Sequence, residues 1–167
     1  FDESLACIEQ AICAFPELDE LPWLRGLAHL VTGDFPAGWK DYEIRKTRRA
    51  GPVGRVFPYP TWKGEPMPER DLLIFAEQGL GDEIMFASCI PDLVRNGVAV
   101  VVECDPRLVQ LYGRSFPGVR VHGAPRDGNR DWLRAHPRIA AQCAIGSLPG
   151  LLRHGAGAFP KHEGYLR

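Results

Sequence analysis

The stretch that decides the fold is residues 71–82, DLLIFAEQGLGD. Its first six residues form a short apolar run, which is typical of a buried β-strand. Apolar residues then recur at helical spacing from Met85 to Leu93, so the glycine-containing segment joins a strand to a helix. Open α/β sheets place their ligands at such junctions, beyond the carboxyl ends of the strands. We therefore take this loop as the first candidate for a functional site.

The segments that follow alternate between strand and helix. The predicted elements are strands at 98–103, 119–122 and 141–145 and helices at 107–115 and 131–136. Pro91 falls inside the first helix and is expected to kink it, because proline removes one backbone hydrogen bond. Alternating strands and helices imply a parallel sheet with right-handed crossovers, so the predicted fold class of this part is α/β.

The chain before this sheet has a different organisation. Phe35 lies 34 positions after Phe1, and 34 residues is the period of the tetratricopeptide repeat. We predict the last one and a half repeats at 1–48, a proline- and glycine-rich linker at 49–70 and the α/β lobe at 71–167. Because such arrays need about three units for stability, we expect the chain to be a piece of a longer protein.

Composition excludes several function classes. The hydrophobic content of 45%, the charged content of 25% and the net charge of −1 indicate a globular protein with no general attraction to nucleic acid or acidic membranes. The apolar runs are too short to span a bilayer. The five cysteines form no CxxC pair, which favours a reducing compartment and predicts a cytoplasmic location. The five histidines are dispersed in sequence, so no metal site is predicted.

Asp82 is the main candidate for chemistry. Its carboxylate stands at the predicted helix start, where it either caps orphan backbone N–H groups or serves as a general base at the edge of the sheet. Glu77 is the second candidate for the base. Ser147 follows the last predicted strand, where its hydroxyl either binds a sugar or phosphate or caps the next helix.

A dinucleotide site is a further alternative for the same loop. Gly79 and Gly81 supply two of the three glycines of the dinucleotide fingerprint, and Glu103 ends the second strand where a ribose-binding acid is expected. Ile84, however, occupies the place of the third glycine. The acidic residues at the helix start would also bring negative charge to the place where a pyrophosphate should bind.

Six short segments are informative in combination. They are GDF at 33–35, GWKDYEIR at 38–45, WKG at 62–64, EQGLGD at 77–82, ECDPRL at 103–108 and GSLP at 146–149. Together they resemble bacterial tetratricopeptide-repeat proteins that carry a glycosyltransferase-like domain. The domain is similar to the two-lobed GT-B fold shared by heptosyltransferases and O-linked N-acetylglucosamine transferases. Residues 71–167 would form its Rossmann-like N-terminal lobe, after an all-α tetratricopeptide hairpin.

The resemblance implies metal-independent transfer of a sugar from a nucleotide-sugar co-substrate to an acceptor hydroxyl, with no other cofactor. The proposed catalytic aspartate of heptosyltransferases follows a glycine after the first strand and corresponds here to Asp82. With this reaction, we expect the substrate-binding residues to be Glu77, Gln78, Gly79, Gly81 and Ser147. The second lobe would bind the donor, so this chain alone is expected to be inactive. The repeats would bind an acceptor or partner protein. The alternative is a non-catalytic binding module with a degenerate α/β lobe.

Overall fold

The computed structural model describes residues 1–47, 57–124, 128–161 and 164–167. The chain divides into two compact units, Phe1–Arg55 with Pro149–Pro160 and Val56–Leu148 with Lys161–Arg167. The first part of the predicted linker, residues 49–56, lies outside the described residues. The rest of that linker, from Phe57, begins the second unit.

The first unit is helical. It contains α1 (Asp2–Ala14), α2 (Glu20–Thr32) and α3 (Phe35–Tyr42), followed by a 3₁₀ turn at Glu43–Lys46. Gly33 ends α2 with φ of 87°, a left-handed conformation that favours glycine. The Asp34 side chain then accepts a hydrogen bond from Ala37 N and begins α3. The connection between α2 and α3 is therefore specified by local sequence.

The second unit is built on a four-stranded parallel sheet, which confirms the predicted α/β class. The strands are β1 (Asp71–Phe75), β2 (Ala99–Cys104), β3 (Arg120–Gly123) and β4 (Ile139–Ala144), in the order β3-β2-β1-β4. All five residues of β1 are buried, as expected for a central strand of a parallel sheet.

Side chains alternate between the two faces of this sheet. One face carries a core of Phe57, Leu73, Phe75, Val101, Ile139 and Ala144, with Tyr59, Trp132 and Leu133 packed against it. Leu72 and Ile74 point to the opposite face and are fully buried. The hydrophobic core thus lies on both sides of β1 and fixes the positions of the loops at its ends.

The helices are α4 (Leu80–Phe86), α5 (Ile90–Arg95), α6 (Val109–Ser115) and α7 (Leu148–Leu152). The expected kink at Pro91 is instead a break: a 3₁₀ turn at Ala87–Cys89 separates α4 from α5. Pro91 lies in the first turn of α5, where its missing N–H costs no helical hydrogen bond. Within the described part of the chain, no helix is long and apolar enough to cross a membrane.

Candidate functional site at the carboxyl edge of the sheet

The candidate site lies where the chain changes direction across the sheet. From β1 the chain proceeds to β2 and β3 on one side, then returns to place β4 on the other side of β1. The β1–β4 boundary is therefore a topological switch point, the position at which open parallel sheets form ligand crevices. The loop after β1 and the 3₁₀ turn Ile145–Ser147 after β4 flank it at the carboxyl edge.

Glu77 connects these two loops. Its Oε1 accepts a hydrogen bond of 3.2 Å from Gly146 N, the residue before Ser147. The loop after β1 and the turn that contains Ser147 thus meet at the switch point, although about seventy residues separate them. Both segments contain residues that the sequence analysis predicted for the site. Gln78 follows Glu77 and is half-buried.

Asp82 has a capping contact. Its Oδ2 accepts a hydrogen bond of 3.1 Å from Gly79 N, across the first turn of α4. The side chain is partly exposed, so this carboxylate also remains accessible to solvent. The geometry includes the helix cap anticipated from sequence and is compatible with a second role for the same carboxylate.

The two glycines of the loop have ordinary backbone conformations. Gly79 has φ of −76°, which any residue adopts, so the backbone conformation at this position does not require glycine. A Cβ on Gly81 would meet nothing within 4 Å, and one on Gly79 would approach only Asp82 Oδ2, at 3.4 Å. The space over both positions is open, so close approach of a ligand to this backbone stays a prediction.

Ser147 lies in the connection from β4 to α7 and is buried. It ends the 3₁₀ turn Ile145–Ser147, which leads directly into α7, and only 8% of its surface is exposed. The strand-to-helix connection is short because β4 ends at Ala144 and the turn begins at the next residue. Ser147 thus borders the switch point as a buried residue of that turn.

Sequence reasoning missed Glu83 as a residue of this edge. Glu83 is 4% exposed, and its Oε2 accepts a hydrogen bond of 2.9 Å from Asp105 N at the end of β2. Its main-chain oxygen accepts a bond of 2.8 Å from the buried Tyr112 hydroxyl of α6. The sequence pattern could have indicated that Glu83 is buried, because it shares one helical face with Phe86 and Ile90 and that face is otherwise apolar.

The carboxyl edge of β2 is strongly acidic. Burial, together with the neighbouring carboxylates of Glu83, Asp105 and Glu103, raises the pKa of the Cys104 thiol to about 12. Arg107 pairs with Asp105 at 2.9 Å, and this pairing raises the pKa of its guanidinium. Such an edge accepts hydrogen bonds from hydroxyl groups and disfavours a bound phosphate.

Metal ligation has no support among the residues that the structure describes. No group of three or more His, Cys, Asp or Glu side chains there is arranged to hold a metal ion. The carboxylates of this edge are engaged instead with backbone N–H groups and with arginine. Carboxylates held in this way can orient hydroxyl groups of a ligand or accept a proton from one.

The chain is similar to a curated protein, Protein FlbA of Caulobacter vibrioides, with 32% identity over 170 residues. The alignment covers 90% of this chain but 27% of that protein, so the chain spans about a quarter of the length of its relative. No protein-family model and no solved structure matches the chain.

Proposed function

We propose that this chain is the acceptor-side part of a glycosyltransferase. In this proposal the helical unit is a tetratricopeptide hairpin, and the sheet unit is one Rossmann-like lobe of a two-lobed GT-B fold. The observation that carries the proposal is the meeting of the Glu77, Asp82 and Ser147 loops at the β1–β4 switch point. Parallel sheets use this position for ligand binding. The family resemblance assigns the catalytic role to Asp82, and we assign substrate binding to Glu77 and Ser147.

The packing of α2 against α3 supports the interpretation of the helical unit. Gly26 and Gly38 are both buried at the contact between these helices. A Cβ on Gly26 would lie 2.9 Å from Asp41 Cβ, and one on Gly38 would lie 2.7 Å from the Leu30 side chain. Small residues at a close antiparallel crossing are characteristic of tetratricopeptide hairpins, which bind partner segments along their helical surface.

The chemistry of the edge supports an acceptor role. An acceptor hydroxyl can donate hydrogen bonds to the carboxylates of Glu77 and Asp82. In the proposed reaction Asp82 takes the hydroxyl proton while the acceptor oxygen bonds to the anomeric carbon, and the bond from that carbon to the nucleoside diphosphate breaks. The acidic edge disfavours the diphosphate, so the donor would be held by groups outside this chain.

The second candidate function is a non-catalytic binding module. The observation that favours it is the hydrogen bond between Asp82 and Gly79 N, since a carboxylate whose role is to cap a helix needs no chemistry. A dinucleotide enzyme has less support, because Asp82 and Glu83 place negative charge in the first turn of α4.

The experiment compares three variants of the full-length protein that contains this chain. Turnover with UDP-, GDP-, ADP- and CMP-sugars is followed by mass spectrometry, with candidate protein acceptors present. Asp82→Asn keeps a side-chain oxygen for Gly79 N but removes the base, so activity is expected to fall by about 10²–10⁴-fold in a folded protein. Asp131→Asn, at an exposed carboxylate of the same unit, is the matched control and is expected to keep full activity.

Asp82→Ala separates the two roles by removing the capping bond as well. If Asp82 only caps α4, Asp82→Ala loses about 0.5–2 kcal/mol of stability, while Asp82→Asn keeps normal turnover. That result would favour the non-catalytic binding module over the glycosyltransferase. Absence of turnover by the unmodified protein with any donor would do the same. Micromolar binding of NAD or FAD by this chain would instead support the dinucleotide alternative.

A further inference from the structure

Two histidines that are distant in sequence form a close pair in the sheet unit. His122 belongs to β3, and His136 directly follows the 3₁₀ turn Asp131–Ala135. Their Nε2 atoms lie 2.6 Å apart. The fold therefore brings together two of the histidines that are dispersed along the sequence, at a place the proposed function does not use.

The pair joins that 3₁₀ turn to the sheet. Trp132, in the turn, stacks on the His122 ring with centroids 4.5 Å apart and an interplanar angle of 21°. Trp132 and Leu133 also pack against the core cluster on the same face of the sheet. This turn is the crossover to β4, so the histidine pair holds the connection that places β4 beside β1.

Two imidazole nitrogens at this distance share one proton. One N–H donates to the lone pair of the other ring, so the contact requires at least one neutral ring. When both rings are protonated, two N–H groups and two positive charges face each other, and the hydrogen bond is lost. Uptake of the second proton, which leaves both rings charged, therefore excludes this contact.

Charged groups of both signs surround the pair, and they act on it in opposite directions. Arg120 lies on β3, and the buried Asp71 of β1 is paired with it at 2.5 Å and with Arg138 at 3.9 Å. The buried Glu103 of β2 is the register partner of His122. Among the described residues, the segments packed here also carry the ion pair of Asp131 with Arg134, the guanidinium of Arg130 over the Phe57 ring, and the phenol of Tyr59.

The balance of these groups favours neutral rings. Burial lowers the pKa of His122, and the positive charges of His136 and Arg120 lower it further. Burial and Arg120 also lower the pKa of His136, against an opposing contribution from Asp71. Both folded pKa values thus lie below the unfolded value of about 6.5. The stabilisation is fully present above that value and is lost as the pH falls through the folded pKa values.

We propose that His122 and His136 form a proton-operated latch that holds the 131–135 turn against the sheet and releases it in mild acid. This inference is independent of the proposed function. Acidification to about pH 5.5 opens the turn, while β2 in the centre of the sheet stays closed. Because the turn leads into β4, the latch makes the order of one side of the switch point depend on pH.

Hydrogen exchange of the whole chain tests the latch. Peptides covering residues 128–138 report the bonds from Leu133 N to Arg130 O and from His136 N to Leu133 O. After correction for the intrinsic pH dependence of exchange, opening in this segment is expected to increase from pH 7.5 to 5.5. The increase is at most about tenfold per ring, because protonation of an open ring rises about tenfold over the pH unit below 6.5. Peptides covering 99–104 are expected to show no such change.

Matched variants identify the protons involved. His136→Gln keeps a group that can hydrogen-bond His122 but takes up no proton, so the acid-induced opening is expected to be largely lost. His154→Gln, at an exposed histidine of the helical unit, is the control and is expected to open as the unmodified chain does. His122→Gln provides the reciprocal test if His136→Gln does not fold.

Nuclear magnetic resonance titration of the unmodified chain provides a test without substitutions. The two rings are expected to titrate below 6.5 in two coupled steps, because protonation of one opposes protonation of the other. Independent titration of both rings at or above 6.5 would overturn the proposal. Equal acid-induced opening in His136→Gln and the unmodified chain would overturn it as well.

Discussion

The side chain of Gln142 is expected to contribute more to stability than any exposed polar group of the sheet unit. Gln142 is 7% exposed and lies in β4. Its Nε2 donates to Phe57 O at 2.9 Å and to Tyr59 O at 2.5 Å, and its Oε1 accepts from Phe57 N at 3.2 Å. The main chain of Gln142 also bonds Pro60 O and Trp62 N, so one residue fixes the segment that covers the edge of β4.

Replacement of this residue by methionine keeps its length and removes the three side-chain hydrogen bonds. Phe57 is 2% exposed, so its N–H and carbonyl groups would be buried without these partners. A buried polar group that loses its partner costs about 1–3 kcal/mol, which gives about 2–6 kcal/mol for the two groups. Allowing for local relaxation, we expect Gln142→Met to lower the free energy of unfolding by about 3 kcal/mol.

Urea denaturation followed by tryptophan fluorescence and circular dichroism measures this loss. With a slope of about 2 kcal/mol per molar urea, the midpoint is expected to shift by about 1.5 M. Gln110→Met, at an exposed position of α6, is the matched control and is expected to change stability by less than about 0.5 kcal/mol. A loss below about 1 kcal/mol for Gln142→Met would refute the argument that these buried backbone groups depend on its side chain.

Three further substitutions and one labelling experiment test other parts of the packing. Gly38→Ala is expected to destabilise the helical unit by about 1–3 kcal/mol, because the new Cβ would lie 2.7 Å from a leucine of α2. Gly113→Ala is expected to stabilise the sheet unit by about 0.5–1 kcal/mol, because a Cβ at this position of α6 would meet nothing within 4 Å. Equal shifts of the melting temperature in Gly38→Ala and Gly113→Ala would contradict this reasoning. Because its pKa is raised, the Cys104 thiol is expected not to react with Ellman's reagent at pH 8 in the folded protein, whereas the two exposed cysteines of α1 react. Peptide mapping that finds the label on Cys104 would contradict this prediction. Tyr112→Phe removes the bond to Glu83 O and is expected to cost about 1–2 kcal/mol in the same denaturation assay, whereas an unchanged midpoint would show that this bond is dispensable.

The local elements of the sheet unit were predictable from sequence. The apolar runs located all four strands to within two residues, because a buried parallel strand needs a short, nearly continuous apolar segment. The helix boundaries were less predictable. Two segments, Ala87–Cys89 and Asp131–Ala135, form 3₁₀ turns and not α-helix. Their local sequences suit either type of helix, so tertiary packing decides which one forms.

The candidate site was predictable in part. The loop 77–82 could be placed after β1, since strand, glycine and helix follow one another in sequence. The contact between Glu77 and Gly146 could not, because it depends on which side of β1 the last strand joins. The burial of Glu83 likewise requires the loop after β2 to lie against α4, which local sequence does not state.

By itself, the sequence determined the class of the sheet unit and the order of its elements, because hydrophobic period and turn residues act over a few positions. The tertiary structure alone decided the strand order, the switch point, the hydrogen bonds of Gln142 and the pairing of His122 with His136. Each of these depends on residues that are far apart in the chain and adjacent in space. Their energies come from burial and hydrogen-bond geometry, which exist only once the sheet has formed.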